Sequence, residues 1–234
     1  MAEVMEYPKI QTLFLRDSKN IIIPDRYTLP EFETLKNVRW EATEKVDGTN
    51  IRIELVPVLD SFGDLSDTYM YFKGRTDKAQ IPNHLFLKLQ QLFPKEKLLK
   101  EFPVVTSEGT HVTIFGEGYG SKIQNGGNYI KDDVSFILFD VKIGKWWLTR
   151  ESCEQVAKAL GIDIVPLIGH VTIPEAIDYV RKGFKSIIAQ NKDYDAEGLV
   201  LKAPHGLLRR NGERLITKIK TVDFRKYEAN KALH

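Results

Sequence analysis

A single cysteine, Cys153, among 234 residues excludes an internal disulfide and fits a reducing compartment. Nowhere does the chain reach the run of about 18 apolar residues that a membrane span needs, and its amino terminus lacks an apolar signal core. The expectation is a soluble protein, cytoplasmic or in another intracellular reducing compartment, that engages no membrane. Histidine is sparse: His84, His111, His170, His205 and His234 show no metal-ligand spacing. A Gly-rich Walker loop is also missing, so bound phosphates would have to be held by side chains. The chain has neither an internal repeat nor a low-complexity stretch.

What is present is enough to build a substantial core. Hydrophobic residues make up 42% of the chain, and its length allows about one to two domains. Net charge is only +2, yet from Lys202 onward nine Lys/Arg stand against three Asp/Glu. The last 33 residues therefore carry +6 and the rest −4. Such a basic end suits a polyanionic ligand, whose phosphates release counterions on binding Lys and Arg, and equally suits an ordinary solvated face.

Alternating or apolar runs predict strands at Trp40 to Lys45, Thr49 to Val56, Thr68 to Lys73, His111 to Gly116, Ser135 to Lys142, Gly198 to Lys202 and Arg214 to Lys220. The polar segment Leu59 to Asp67 reads as a hairpin connection. Helices are predicted from Asn83 to Phe93, with Leu85, Leu89 and Leu92 on one face, and from an N-cap at Thr149 to Leu160, closed by Gly161. On the latter, Cys153 shares a face with Val156, Ala157 and Leu160, which makes it a buried structural residue. A third helix follows Thr172, in a capping box with Glu175, and ends near Gly183. A fourth is expected over Phe184 to Gln190. Helices lie between groups of strands and do not alternate with them one for one, so the fold class is α+β with mainly antiparallel sheets.

Chemistry concentrates in five segments. In chain order they are Glu44-Lys45-Val46-Asp47-Gly48-Thr49-Asn50, then Phe115-Gly116-Glu117-Gly118, then Phe136 to Asp140, then Asp195-Ala196-Glu197-Gly198-Leu199-Val200-Leu201-Lys202, and last Thr217-Lys218-Ile219-Lys220. Taken alone, Lys45 is a surface lysine in a loop, Asp47-Gly48 a turn, Phe139 a core residue, and Lys218 with Lys220 an exposed strand face. The order of the five is what argues otherwise.

That set resembles the covalent nucleotidyltransferases, the superfamily of polynucleotide ligases and mRNA capping enzymes, and within it the RNA ligase 2 family of phage and kinetoplastid RNA ligases. The resemblance rests on Glu-Lys-x-x-Gly-Thr-Asn at Lys45, Phe-Gly-Glu followed by Ile123-Gln124 and Phe139-Asp140, Ala-Glu-Gly-x-Val-Leu-Lys-x-Pro at 196 to 204, and Arg210-Asn211-Gly212 before Lys218-x-Lys220. It implies a nucleotidyltransferase (ATP-grasp-like) core of two packed antiparallel sheets flanked by helices, with the nucleotide in the cleft between them. A single catalytic domain over 1-234 is the expectation. After Lys220 only 14 residues remain, where many relatives continue into a further nucleic-acid-binding domain. Either the module works alone or a protein partner supplies that surface.

The implied activity is ATP-dependent RNA ligation. Lys45 takes AMP from ATP, the AMP passes to a 5′-phosphate end, and a 3′-hydroxyl displaces it to seal the strand. A lysine with a pKa near 10.4 is almost fully protonated at neutral pH. Lys218, Lys220 and a bound Mg²⁺ (or Mn²⁺) are the cations that would favour the neutral amine and then stabilise charge on the α-phosphate. Glu44 and Asn50 are placed close enough to touch the nucleotide or its phosphate. Arg75 would contact phosphate or ribose, Glu117 the ribose, and Phe139 and Val200 the adenine, with Lys202 completing the nucleotide contacts. Glu197 is the metal-linked carboxylate, since hard cations prefer oxygen. A DNA ligase or GTP-dependent capping guanylyltransferase shares the motif order, and a non-catalytic RNA-binding protein could share the fold. Phe224 and Tyr227, beside the basic end, either stack on bases or pack on the core.

Overall fold

The computed structural model describes residues 6–232, so His234 lies outside it. They form two compact units, one of residues 6–8 and 47–164 and the other of residues 9–46 and 165–232. The second unit supplies β1 (Gln11–Thr12), β2 (Phe14–Arg16), β3 (Ile22–Tyr27), α1 (Pro30–Thr34) and β4 (Trp40–Glu44). The first then runs through β5 (Thr49–Leu59), β6 (Leu65–Gly74), α2 (Asn83–Leu92), α3 (Lys95–Glu101), α4 (Val104–Ser107), β7 (Val112–Gly120), β8 (Val134–Ile143), β9 (Trp146–Trp147), α5 (Arg150–Leu160) and β10 (Asp163–Ile164). The chain finishes in the second unit with β11 (Leu167–Val171), α6 (Ile173–Lys182), β12 (Gly198–Lys202), β13 (Ile216–Lys220) and α7 (Thr221–Lys231).

In the first unit the sheet order is β10-β8-β7-β5-β6, with β9 on β8. All its pairings are antiparallel except β10 on β8. Period-two alternation sends Ile51, Ile53 and Leu55 of β5 and Val112 and Ile114 of β7 to one face, where they meet Leu85 and Leu89 of α2 and Val156 and Leu160 of α5. A register shift in the β7–β8 ladder takes up one extra residue of β8. Phe136 and Leu138 before it and Val141 after it all reach the same core. The opposite face of β5 is buried too, and polar: Arg52 is fully buried and reaches Glu54 (3.0 Å) and Asp77, while Lys73 holds the other Glu54 oxygen at 3.0 Å.

The second unit's sheet has the order β1-β13-β12-β4-β11, antiparallel apart from β1 on β13, and β2 pairs with β3 separately. Trp40 and Ala42 of β4, Leu199 and Leu201 of β12 and Ile219 of β13 face a core closed by Phe32, by Ile173, Ala176 and Val180 of α6, and by Phe224 of α7. Each fully buried Leu, Ile, Val or Phe among them contributes about 1.5–3 kcal/mol. Both expected capping arrangements form. Thr149 accepts the Ser152 N–H and Gly161 closes α5 in the left-handed region, and Thr172 with Glu175 makes the full capping box of α6.

The α+β expectation therefore holds, with mainly antiparallel sheets. The expected helix over Phe184 to Gln190 does not form. Ser186 N–H pairs with the Tyr194 carbonyl, and the Ile187 N–H, which a helix would spend on the residue four before it, donates to the Glu44 carboxylate. Among the described residues no helix is long and apolar enough to cross a membrane.

Candidate active site

Lys45 directly follows β4, and its backbone N–H still pairs with the Gly198 carbonyl at 2.9 Å. Its Nζ meets Glu197 Oε2 at 2.5 Å, although the two residues are 152 positions apart. Lys220 Nζ takes the other oxygen, Oε1, at 2.6 Å. Glu197 thus sits between two ammonium groups, its own carbonyl held by the Thr221 N–H at 2.9 Å. Gly198 is what lets the carboxylate stand there. Its φ is +152°, and a Cβ would lie 2.0 Å from the Ile219 carbonyl oxygen, so only glycine fits between Glu197 and β13.

The remaining motif residues of this sheet share a face. Val200 is paired between Thr43 of β4 and Lys218 of β13, and Lys202 between Glu41 and Ile216. Lys218 and Lys220 alternate with the buried Thr217 and Ile219, as expected for two lysines on one face. Glu41, absent from the sequence reading, adds a carboxylate beside Lys202; its buried Oε1 has no partner among the described residues.

Glu44 behaves differently from the expectation. It pairs with Leu199, on the face of the sheet where Ala42 and Leu201 build the core, and is 1% exposed. Its oxygens accept the Ser186 hydroxyl at 2.5 Å and the Ile187 N–H at 2.9 Å. Burial pushes this carboxyl above the usual carboxylate range, against the two hydrogen bonds, which pull the other way. Its side chain anchors the irregular segment after α6 to the strand that precedes the lysine.

In the first unit, Asn50 and Glu117 are directly opposed across β5 and β7. Glu117 is half-buried, and the buried Asn50 Oδ1 has no partner among the described residues. Arg75 stands one residue past β6, exposed and without an ion pair among the described residues. Phe139, half-buried at the register shift of β8, is met edge-on by Tyr7 at 4.9 Å, and the Tyr7 hydroxyl donates to the buried Asp140 at 2.6 Å. The lysine motif's own turn is also fixed here: the Asp47 N–H donates to the Tyr129 hydroxyl at 3.0 Å. Tyr7, Tyr129, Ser186 and Glu41 carry no periodicity or motif that would have singled them out in the sequence. Phe224 is buried in its core with Arg181 over the ring at 5.2 Å, and Tyr227 packs on the same core, so neither is offered to bases.

No cluster of three or more His, Cys, Asp or Glu side chains occurs among the described residues. A divalent cation held by an all-protein cage is therefore not what these residues suit. One carboxylate, Glu197, suits Mg²⁺ or Mn²⁺ that keeps most of its waters and arrives with phosphate oxygens.

A family model described as RNA ligase matches residues 38–220. Among solved structures, the chain is similar to a Naegleria gruberi RNA ligase mutant with ATP and Mn, at 18% identity and TM-score 0.57 over 97% of this chain and 61% of that chain. The same ligase with PPi gives 20% identity and TM-score 0.57 over 98% and 62%. Another mutant of it, with AMP and Mn, gives 19% and 0.56 over 97% and 62%. These identities establish a shared fold, and the chain spans about 61% of the length of the first of these proteins. Comparison with curated proteins gives no match.

Proposed function

The chain belongs to the RNA ligase family, and from that premise we propose that it is an ATP-dependent RNA ligase joining 5′-phosphate and 3′-hydroxyl ends. The observation that carries the proposal is the contact of Lys45 and Lys220 with the two oxygens of Glu197. Three residues from three separated motifs thus come together at one carboxylate.

In the proposed reaction the neutral Lys45 amine attacks the α-phosphorus of ATP. The N–P bond forms, the P–O bond to pyrophosphate breaks, and pyrophosphate leaves. An ammonium has no lone pair, so its proton must first pass to water, which frees the Lys45 nitrogen from its 2.5 Å contact with Glu197 Oε2. Lys218 and Lys220 then stabilise charge on the α-phosphate, with Val200 offering an apolar surface to the purine and Lys202 a further cation. An oxygen of the RNA 5′-phosphate next attacks the lysyl-AMP phosphorus, and the Lys45–phosphorus bond breaks to restore the amine. Finally the 3′-hydroxyl oxygen attacks the 5′-phosphorus: the new phosphodiester P–O bond forms, the P–O bond of the pyrophosphate link breaks, AMP departs, and the hydroxyl proton passes to water. Mg²⁺ or Mn²⁺, held at Glu197, would supply further charge neutralisation on the phosphates. On the other sheet the proposal gives Asn50 and Glu117 hydrogen bonds to ribose or phosphate; the unpartnered Asn50 Oδ1 supports a polar ligand there. Arg75 takes a phosphate and Phe139 a purine ring. Glu44 contributes by anchoring.

The test is to mix purified protein with α-labelled ATP and Mg²⁺ and resolve it on a denaturing gel. Label that stays on the chain and vanishes in Lys45→Ala is the expected result. Label from GTP alone would move the assignment to capping, and no label from either nucleotide would refute the enzyme reading. Sealing of RNA ends compared with DNA ends separates the ligase classes.

A further inference from the structure

On the edge strand β6, Met70 and Phe72 point into the core of the first unit. Their alternates, Tyr69, Tyr71 and Lys73, point the other way, and Arg75 follows one residue past the end of the strand. Tyr69 and Tyr71 are 50% and 41% exposed, with ring centroids 6.2 Å apart. Lys73 lies over the Tyr71 ring at 5.2 Å. At about 3.4 Å per residue the stripe runs for about 20 Å from Tyr69 to Arg75.

We propose that this stripe is a platform for single-stranded RNA, with one base lying on each tyrosine ring and a backbone phosphate taken by Arg75. It rests on the ligase reading for the class of its substrate. Alternate side chains on one face stand about 6.8 Å apart, about twice the spacing of stacked bases in a duplex, so the stripe suits unstacked, extended nucleotides. Flat rings accept any base and cations alongside track phosphates, which is how single strands are held without regard to sequence. Charge favours RNA over a protein segment. The carboxylates nearest the stripe, Glu54 and Asp77, are both bound to Arg52 and Lys73, and Asp67 stands only at its far end. Guarding a sheet edge against unwanted pairing needs charge alone, whereas two exposed tyrosines enlarge the apolar surface that β6 presents.

The experiment uses the whole chain and a short fluorescent single-stranded RNA, read by anisotropy. Tyr69→Leu/Tyr71→Leu should bind about thirtyfold more weakly, the low end of what two stacked bases are worth. Tyr69→Phe/Tyr71→Phe, which keeps both rings, should stay within about threefold on the same scale. Arg75→Gln should lower the slope of log affinity against log salt by about 0.7, one phosphate contact on a single strand. Lysyl-AMP formation should be unchanged in the two tyrosine variants. A leucine variant that binds RNA like the parent while still forming lysyl-AMP overturns the platform, as does a phenylalanine variant that falls as far as the leucine one. Self-association in sedimentation that the leucine variant abolishes, with RNA binding intact, would assign the stripe to a second copy of the chain and refute the proposal. Absence of lysyl-AMP in the parent refutes the ligase reading alone, because the platform is read on binding.

Discussion

Because Lys45 and Lys220 share one carboxylate, losing either lysine should cost less than losing the carboxylate's charge, and losing both lysines more than the two single losses together. The contacts are 2.5 and 2.6 Å, and the side chains of Lys45, Glu197 and Lys220 are 20%, 15% and 30% exposed. A fully exposed ion pair contributes about 0–1 kcal/mol, and removing one partner of a fully buried pair costs about 3–5 kcal/mol. At this partial burial each contact should contribute about 1–2 kcal/mol, between those limits. Lys45→Met or Lys220→Met breaks one contact, keeps the packing of the aliphatic stem, and leaves Glu197 still paired. Each should cost about 1 kcal/mol. Glu197→Gln keeps the shape but breaks both contacts and leaves two ammonium groups without their shared counter-charge, so about 3 kcal/mol is expected. Lys45→Met/Lys220→Met takes both cations from a mostly buried carboxylate and should cost more than its two singles together.

Urea unfolding at neutral pH measures all four variants, and the same samples report lysyl-AMP formation from labelled ATP. Glu197→Gln should lower the rate of adenylylation by about 10²- to 10³-fold, the scale of removing one aligned electrostatic group. Raised salt should narrow the stability differences only in part, since these pairs are mostly shielded from solvent. If Glu197→Gln costs no more stability than either lysine variant, or if the double variant is additive, the carboxylate is not the shared centre described above.

Gly198→Ala should destabilise the chain by more than the ~1–3 kcal/mol of a strained backbone alone, because the new Cβ also lies 2.0 Å from the Ile219 carbonyl. Loss of lysyl-AMP should accompany it, and a variant of parental stability in urea would refute the steric argument. Glu44→Gln tests the raised carboxyl: a folded value above the unfolded one favours the protonated form, so its contribution is complete below the usual range near 4.3 and is lost as pH rises through the folded value. Unfolding midpoints of the parent should therefore fall relative to Glu44→Gln across that window, and parallel curves would contradict the assignment. Tyr129→Phe keeps a fully buried ring but removes the acceptor for the Asp47 N–H. It should cost about 0.5–1.5 kcal/mol, the net worth of one hydrogen bond, and slow adenylylation; an unchanged rate and midpoint would show that the turn does not depend on that bond.

How much of this was legible in the chain depends on whether a residue's partner is local. The caps of α5 and α6 were readable because Thr149, Gly161, Thr172 and Glu175 act within a few positions. The strands bearing the motifs were readable from period-two alternation. The Phe184 to Gln190 segment was misread because its polar groups are satisfied at a distance, by Tyr194 and by Glu44. α7 went unread for a related reason: it buries only Thr221, Asp223 and Phe224, at its first turn, so no apolar stripe marks its length. Tyr7 reaches Asp140 across 133 positions, and nothing nearby in sequence points to it.

Glu44 shows the limit of reading a site by adjacency to a motif. It touches Lys45 in the chain, and the motif reading gave it the nucleotide. Strand alternation alone gives the opposite answer: Trp40 and Ala42 are apolar and buried, so the next residue of that parity, Glu44, belongs to the core face. Val200 and Lys218, which the register sets beside Thr43, hold the other face. Two rules therefore competed at one position, and the geometric one won because β4 is a paired strand between β12 and β11 whose faces are fixed by the ladder. Lys45 has the parity of Thr43 and so takes the face of Val200 and Lys218, its N–H still paired with the Gly198 carbonyl. Its side chain reaches Glu197 on the neighbouring chain segment, while the buried Glu44 one residue back ties the strand end to the segment after α6.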